Sequence, residues 1–134
     1  MLTDIIRKNE LYGVIIMING LGITLSALEA HRKKMDVTAN NVANINTDGF
    51  KKSRVLFKEE EGSRGVQVDI RKVETPGSAV LYDDGERQTY VETSNVDYAE
   101  EAVNMIMARR GFEANLKALQ AQDEMLGSLL NIKI

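Results

Sequence analysis

The residues with the chemistry to move protons are the neighbouring carboxylates Glu59-Glu60-Glu61, Asp83-Asp84 and Glu100-Glu101. A working acid–base pair must converge on one point, whereas adjacent residues on a helix face different ways. Solvated loops and a helix start explain these runs without any catalytic site. His31 is the sole histidine and cysteine is absent. That removes multi-histidine metal sites, thiolate zinc sites, thiol nucleophiles and disulfides together. Neither a cofactor nor a small-molecule substrate is expected, and the chain does not read as an enzyme. His31 itself reads as a surface residue beside a helical stripe. Lys51, Lys52, Arg54 and Lys58, with Phe50 and Phe57 interleaved, form the strongest basic cluster. Against 17 basic residues stand 20 acidic ones, a net charge of −3 that gives no overall attraction to nucleic acid. The cluster is therefore expected to meet an acidic face of a neighbouring subunit, for instance a helix start such as Asp97–Glu101.

The elements that carry these groups follow from periodicity. A chain of 134 residues suits one domain with flanking helical segments. From Leu21 the apolar positions repeat every seven residues as Leu21, Leu28, Met35 and Val42, with Leu25, Arg32 and Ala39 four residues further on. That spacing predicts a helix of about 25 residues presenting a narrow stripe to a partner. The helix is expected to fail in Asn44–Gly49, where Asn46-Thr47-Asp48-Gly49 is strong turn chemistry. Val66, Val68 and Ile70 alternate with polar residues, as in a half-buried strand. Ala79–Tyr82 and Arg87–Val91 flank Asp83-Asp84-Gly85 and predict a hairpin.

Helical periodicity then returns. Tyr98, Met105, Phe112, Leu119 and Leu126 form one heptad row, and Ala102, Arg109, Leu116, Asp123 and Leu130 the second. Met107, Ala114, Ala118, Ala121, Met125 and Leu129 add a further apolar row. Asn95 or Ser94 is placed to cap this helix. Charged Arg109 and Asp123 either fix the register of a helix pair or extend to its rim. One stripe serves one partner, so several imply that the helix is surrounded. The predicted fold is mainly α with a small β insert, its N- and C-terminal heptad helices pairing as a coiled coil. The segments are an N-terminal extension at 1–16, a helix and turn at 17–49, a β-rich insert at 50–94 and a helix at 95–134.

Residues 11–28 form an uncharged run after Arg7 and Lys8. It supports an alternative in which the chain is a membrane-tethered coiled-coil adaptor anchored by that run. The same stretch fits translation starting at Met17, with 1–16 not native.

Four asparagines in seven residues, Asn40, Asn41, Asn44 and Asn46, are followed by Thr47, Asp48, Gly49, Phe50 and Lys51. Ser94-Asn95-Val96-Asp97 precedes Glu100–Ile106 and then Arg110-Gly111-Phe112-Glu113-Ala114-Asn115. Together these resemble the N- and C-terminal motifs of the bacterial flagellar rod and hook proteins, the axial family of the basal body. The resemblance covers residues 17–58 and 94–134, and the short insert is similar to that of proximal-rod members. It implies a non-enzymatic subunit of the periplasmic rod, exported unfolded by the flagellar type III apparatus and stacked helically to carry torque. Its partners would be copies of itself, other rod subunits and the export apparatus, with the membrane reached only indirectly through the basal body. The expected assembly seam is Leu21, Leu25, Leu28, Met35, Val42, Met105, Phe112, Leu116, Leu119, Leu126 and Leu130. The asparagine cluster either bonds exposed backbone at the helix end or bridges to the next subunit.

Overall fold

The computed structural model describes residues 2–62, 65–83 and 85–131, with side chains of residues 1–11, 14, 17, 129 and 130 outside the description. Helix α1 spans Leu2–Ala43, and helix α2 spans Tyr98–Asn131. Between them lie β1 (Ser53–Glu59), β2 (Val66–Lys72), β3 (Ala79–Asp83) and β4 (Gln88–Glu92). The chain is mainly helical with a small β part, as the periodicity predicts. The first helix is longer than its heptads indicated, because it runs without a break through Met17. Gly13, Gly20 and Gly22 lower its helix propensity without stopping it.

The two helices lie antiparallel. Thr24 is within hydrogen-bonding distance of Gln122 (3.2 Å), His31 lies on Gly111, and Asn41 bonds Glu101. On α1 Thr24, His31 and Thr38, and on α2 Glu101, Ala108, Asn115 and Gln122, are buried or half-buried and interleave at heptad spacing with the expected apolar rows Leu21, Leu28, Met35, Val42 and Met105, Phe112, Leu119, Leu126, themselves buried or half-buried. Of the secondary rows expected from the sequence, Leu25, Arg32, Ala39, Arg109, Leu116 and Asp123 are exposed, Ala102 is half-buried and the Leu130 side chain lies outside the description. Arg109 pairs with Glu113 one turn on, at the rim.

The strands form two separate antiparallel hairpins, β1–β2 and β3–β4. The first packs on α1. The Ser26 hydroxyl accepts from the Val66 amide at 3.0 Å and donates to Ile23 O at 2.7 Å. Gly65, at φ 142°, lies so close that a Cβ there would overlap Ser26. The second hairpin contacts no helix among the described residues and is held at its base. There Lys51 pairs with Glu92, the Gly77 amide donates to the same carboxylate, and the Gly49 amide donates to Glu92 O at 2.7 Å. Gly49 takes φ 68° at the turn that ends α1, as its sequence predicts.

Two expectations are corrected. The cap of α2 is neither Ser94 nor Asn95: the helix begins at Tyr98, so Asp97 occupies the cap and its Oδ1 accepts from the Ala99 amide at 2.8 Å. The membrane-anchor alternative loses its segment, because Thr24 and Ser26 of the 11–28 run are bonded to α2 and to β2. No helix among the described residues is long and apolar enough to cross a membrane. Replacement Asp97→Ala should lower stability by about 1 kcal/mol, the usual worth of a helix N-cap. Urea unfolding of both proteins measures it, and unchanged stability would count against this cap.

Candidate functional site

Asn41, Lys52, Arg54, Asn95, Glu100 and Glu101, singled out by sequence, gather at one joint, where α1 ends, β1 begins and α2 starts. Asn41 is 1% exposed. Its Oδ1 accepts from the Ser53 amide at 2.9 Å, and its Nδ2 donates to Ser53 O at 2.8 Å. The same amide group reaches Glu101 Oε1 at 3.1 Å. The side chain thus mimics a strand neighbour for Ser53 while holding the first turn of α2. Asn95 does similar work one segment away. Its Oδ1 accepts from the Lys52 amide at 2.7 Å, and its Nδ2 donates to Val73 O and Thr75 O.

Asn44 bonds Asn40 O and accepts from the Thr47 hydroxyl, so it serves the helix end locally. Asn40 and Asn46 are exposed, Thr47 is exposed, and Asn115 donates to Gly111 O within α2. Phe50 and Val96 are half-buried, and Ala114 is exposed. Within the asparagine cluster, Asn41 is therefore committed inside its own chain, whereas Asn40 and Asn46 face outward.

The basic cluster finds the acidic segment expected of it, but in the same chain rather than in a neighbour. Lys52, 8% exposed, pairs with Glu100, and Arg54 reaches the same carboxylate at 3.2 Å. The Lys52 ammonium, with Arg54 beside it, holds the Glu100 carboxyl below its ordinary range. Lys58 pairs with Asp69 across the first hairpin at 2.7 Å. The antiparallel fold returns the start of α2 to the start of β1, which is why the contact closes intramolecularly.

His31 also departs from expectation. It is not a surface residue: its ring fills the space left by Gly111, where any Cβ would overlap it. Phe57 of β1 stacks edge-on at 5.1 Å, and Nδ1 is buried with no hydrogen-bond partner. Burial, followed by the nearby Lys34 ammonium, pushes the imidazole pKa down. No composition signal marks such a residue; the pairing of His31 with a helical glycine is visible only in the fold.

Around this polar joint the apolar residues are poorly covered. Among the described residues the buried hydrophobic ones are Leu28, Ala30 and Ala108. Of the expected seam, Leu28 is buried, Leu21, Met35, Val42, Met105, Phe112, Leu119 and Leu126 are half-buried, and Leu25 (54%) and Leu116 (41%) are exposed. Leu130 lies outside the described side chains. Ile15, Ile16, Ile18, Val103, Ile106, Met107 and Met125 add to the exposed apolar surface. No group of acidic or histidine side chains among the described residues is arranged to hold a metal.

Comparison with known proteins gives this surface its context. A family model described as flagella basal body rod protein matches residues 21–51, and one described as flagellar basal body rod FlgEFG protein C-terminal matches residues 87–132. The flagellar basal-body rod protein FlgC of Aquifex aeolicus is 33% identical over 119 residues, which span 79% of this chain and 89% of that protein. This chain belongs to the flagellar basal-body rod protein family. FlgC of Bacillus subtilis is 28% identical, with 85% of this chain and 96% of that protein covered. FlgG of Buchnera aphidicola from Schizaphis graminum is 33% identical, but this chain covers only 40% of it. The likeness to FlgC therefore extends along nearly the whole of both proteins. Membership gives the chain a structural place in the flagellar basal-body rod, with other rod subunits as its neighbours, and not an enzymatic role.

The joint makes a pH prediction. Because folding lowers the His31 pKa, the unfolded chain takes up a proton first as pH falls. The neutral ring contributes fully above about pH 6.5, the ordinary histidine range, and its contribution is lost below it. Glu100 acts separately: its depressed pKa contributes stability that is lost only below its ordinary value of 4.5. Unfolding free energy measured from about pH 7.5 to 5.5 should fall, and the fall should vanish in His31→Leu. An identical slope in both proteins would refute the assignment to His31.

Proposed function

We propose that this chain is a proximal-rod subunit that passes unfolded through the flagellar type III apparatus and stacks helically through its terminal helices to carry torque. The single observation that supports the reading is the imbalance, among the described residues, between three buried apolar side chains and long apolar rows left uncovered on both helices. Monomeric proteins seldom leave contiguous apolar surface of that kind exposed, and where they do it marks an interface. A joint of this sort folds the chain loosely, and neighbours complete it, so ordering is coupled to assembly. A chain with modest internal packing also costs little to keep unfolded during passage through a narrow export channel.

In this reading Leu21, Leu25, Leu28, Met35, Val42, Met105, Phe112, Leu116, Leu119, Leu126 and Leu130 are shared between the helix pair and adjacent subunits. Met35 and Met125 suit contacts that are not identical from one subunit to the next, since methionine adapts its shape. Contacts between unlike faces do not close on themselves and generate an open helical array. The small β part, tied to the helices at Asn41, Lys52 and Ser26, keeps the helices in register while their outer faces remain free.

Replacements Leu116→Asp and Met107→Asp place a carboxylate on exposed apolar positions and should leave the isolated fold intact. Each should abolish recovery of the chain in purified basal bodies and with it swimming, in cells whose own copy has been deleted. Circular dichroism and hairpin amide signals of the purified variants should match those of the parent. Normal incorporation of both variants would overturn the role of these rows.

A further inference from the structure

On the rod reading just given, we infer that the seating of His31 on Gly111 sets the register of the antiparallel helix pair. That makes the two residues positioning residues for the surface that other rod subunits meet. Heptad rows alone leave the register open, because a slip of seven residues returns side chains of the same kind to the same face. Something must distinguish one heptad from the next.

Glycine weakens the interior of a helix, yet Gly111 lies well inside α2. A Cβ there would fall 2.5 Å from Nε2 and 2.7 Å from Nδ1 of His31, closer than side chains approach one another. The ring has no room to retreat, since Phe57 of β1 meets it edge-on at 5.1 Å and its Nδ1 is buried. Small residues let the helices close at this level: Ala30, beside His31, is 1% exposed, and Ala108, one turn before Gly111, is 0% exposed. Asn115 donates to Gly111 O at 2.8 Å and braces the helix where the missing side chain would weaken it.

A slip of α2 by one heptad would set Asn104 or Ala118 against His31 in place of Gly111. Each carries a Cβ where the ring lies, so both neighbouring registers are blocked. Gly127, the other glycine of α2, is 16 residues beyond Gly111, off the heptad row, and cannot substitute for it. At either end the side-chain hydrogen bonds of Thr24 with Gln122 (3.2 Å) and of Asn41 with Glu101 (3.1 Å) favour the register that the notch allows. Attraction to one arrangement and exclusion of its neighbours act together, as specific pairing requires. One heptad of slip would carry α2 about 10 Å along α1, and with it every apolar residue that α2 presents to a neighbour.

The full-length chain has no cysteine, so spin labels can be placed at chosen positions. Ala39→Cys and Gln120→Cys use exposed positions that stand roughly 25 Å apart along the helix axis. Double electron–electron resonance measures their separation in the isolated chain. Adding Gly111→Ala should lose the parent separation, by a shift of about 10 Å or a spread over several registers. Adding His31→Ala as well should restore it. In cells whose own copy has been deleted, and without the cysteines, Gly111→Ala should be missing from purified basal bodies and the Gly111→Ala, His31→Ala chain should return to them. A parent separation retained in Gly111→Ala overturns the lock. A double variant as disturbed as the single one, unfolded or not by circular dichroism, also overturns it, because the ring would not be what the new Cβ meets. A Gly111→Ala chain that loses the register yet enters basal bodies normally overturns the positioning role in assembly. Absence of the unsubstituted chain from basal bodies overturns the rod reading, and the lock then stands or falls on the separation in the isolated chain.

Discussion

The fold depends on one side-chain amide. Asn41 sits at the last turns of α1 and satisfies both backbone groups of Ser53 while reaching the Glu101 carboxylate. Three elements separated by up to 60 residues are thereby fixed at a point from which water is excluded. Breaking such a group out of its partners leaves a buried amide and carbonyl unsatisfied, at a cost of about 1–3 kcal/mol. Little hydrophobic burial stands behind it as a reserve. The antiparallel course of α2, the closure of Lys52 and Arg54 on Glu100, and the seating of the first hairpin all follow from holding that corner.

The helices, the turn at Gly49 and the second hairpin were legible because their signals are local. Heptad spacing survives in any context, and a glycine after Asn-Thr-Asp declares a helix end. The face by which the helices meet was legible in part: Leu21, Leu28, Met35 and Val42 on α1, and Met105, Phe112, Leu119 and Leu126 on α2, are buried or half-buried beside it. Thr24, His31 and Thr38 against Glu101, Ala108, Asn115 and Gln122 are polar or small, so a search for apolar periodicity passes over them. The same search ranked Leu25 and Leu116 as seam residues, and in the single chain they are exposed. Both rows have heptad spacing; only tertiary contact separates the inward row from the outward one. His31 was misread for a related reason, since its environment depends on a glycine 80 positions away.

The same division explains how the acidic and basic segments behave. Lys51, Lys52, Arg54 and Lys58 lie close in sequence, yet each cation answers a different need. Lys51 anchors the second hairpin through Glu92, Lys52 and Arg54 secure the start of α2, and Lys58 bridges the strands of the first hairpin. Ion pairs that are half open to water contribute modestly. Their effect is geometric: they orient the β part on the helices without consuming apolar surface that could serve elsewhere.

A subunit built this way separates two tasks that many proteins combine. Polar and small residues decide how the chain folds back on itself, with Ala30, Ala108 and Gly111 allowing close approach. Large apolar residues are divided: Leu28 is buried within the chain, while Ile18, Leu25, Ile106 and Met107 are left exposed. Hydrophobic attraction is weakly directional, so it alone would tolerate many registers between neighbours. Hydrogen bonds and ion pairs are directional, and here they have already fixed the spacing of the apolar rows before any neighbour arrives. Specificity of association with other rod subunits can then come from the pattern of those rows, and strength from their area.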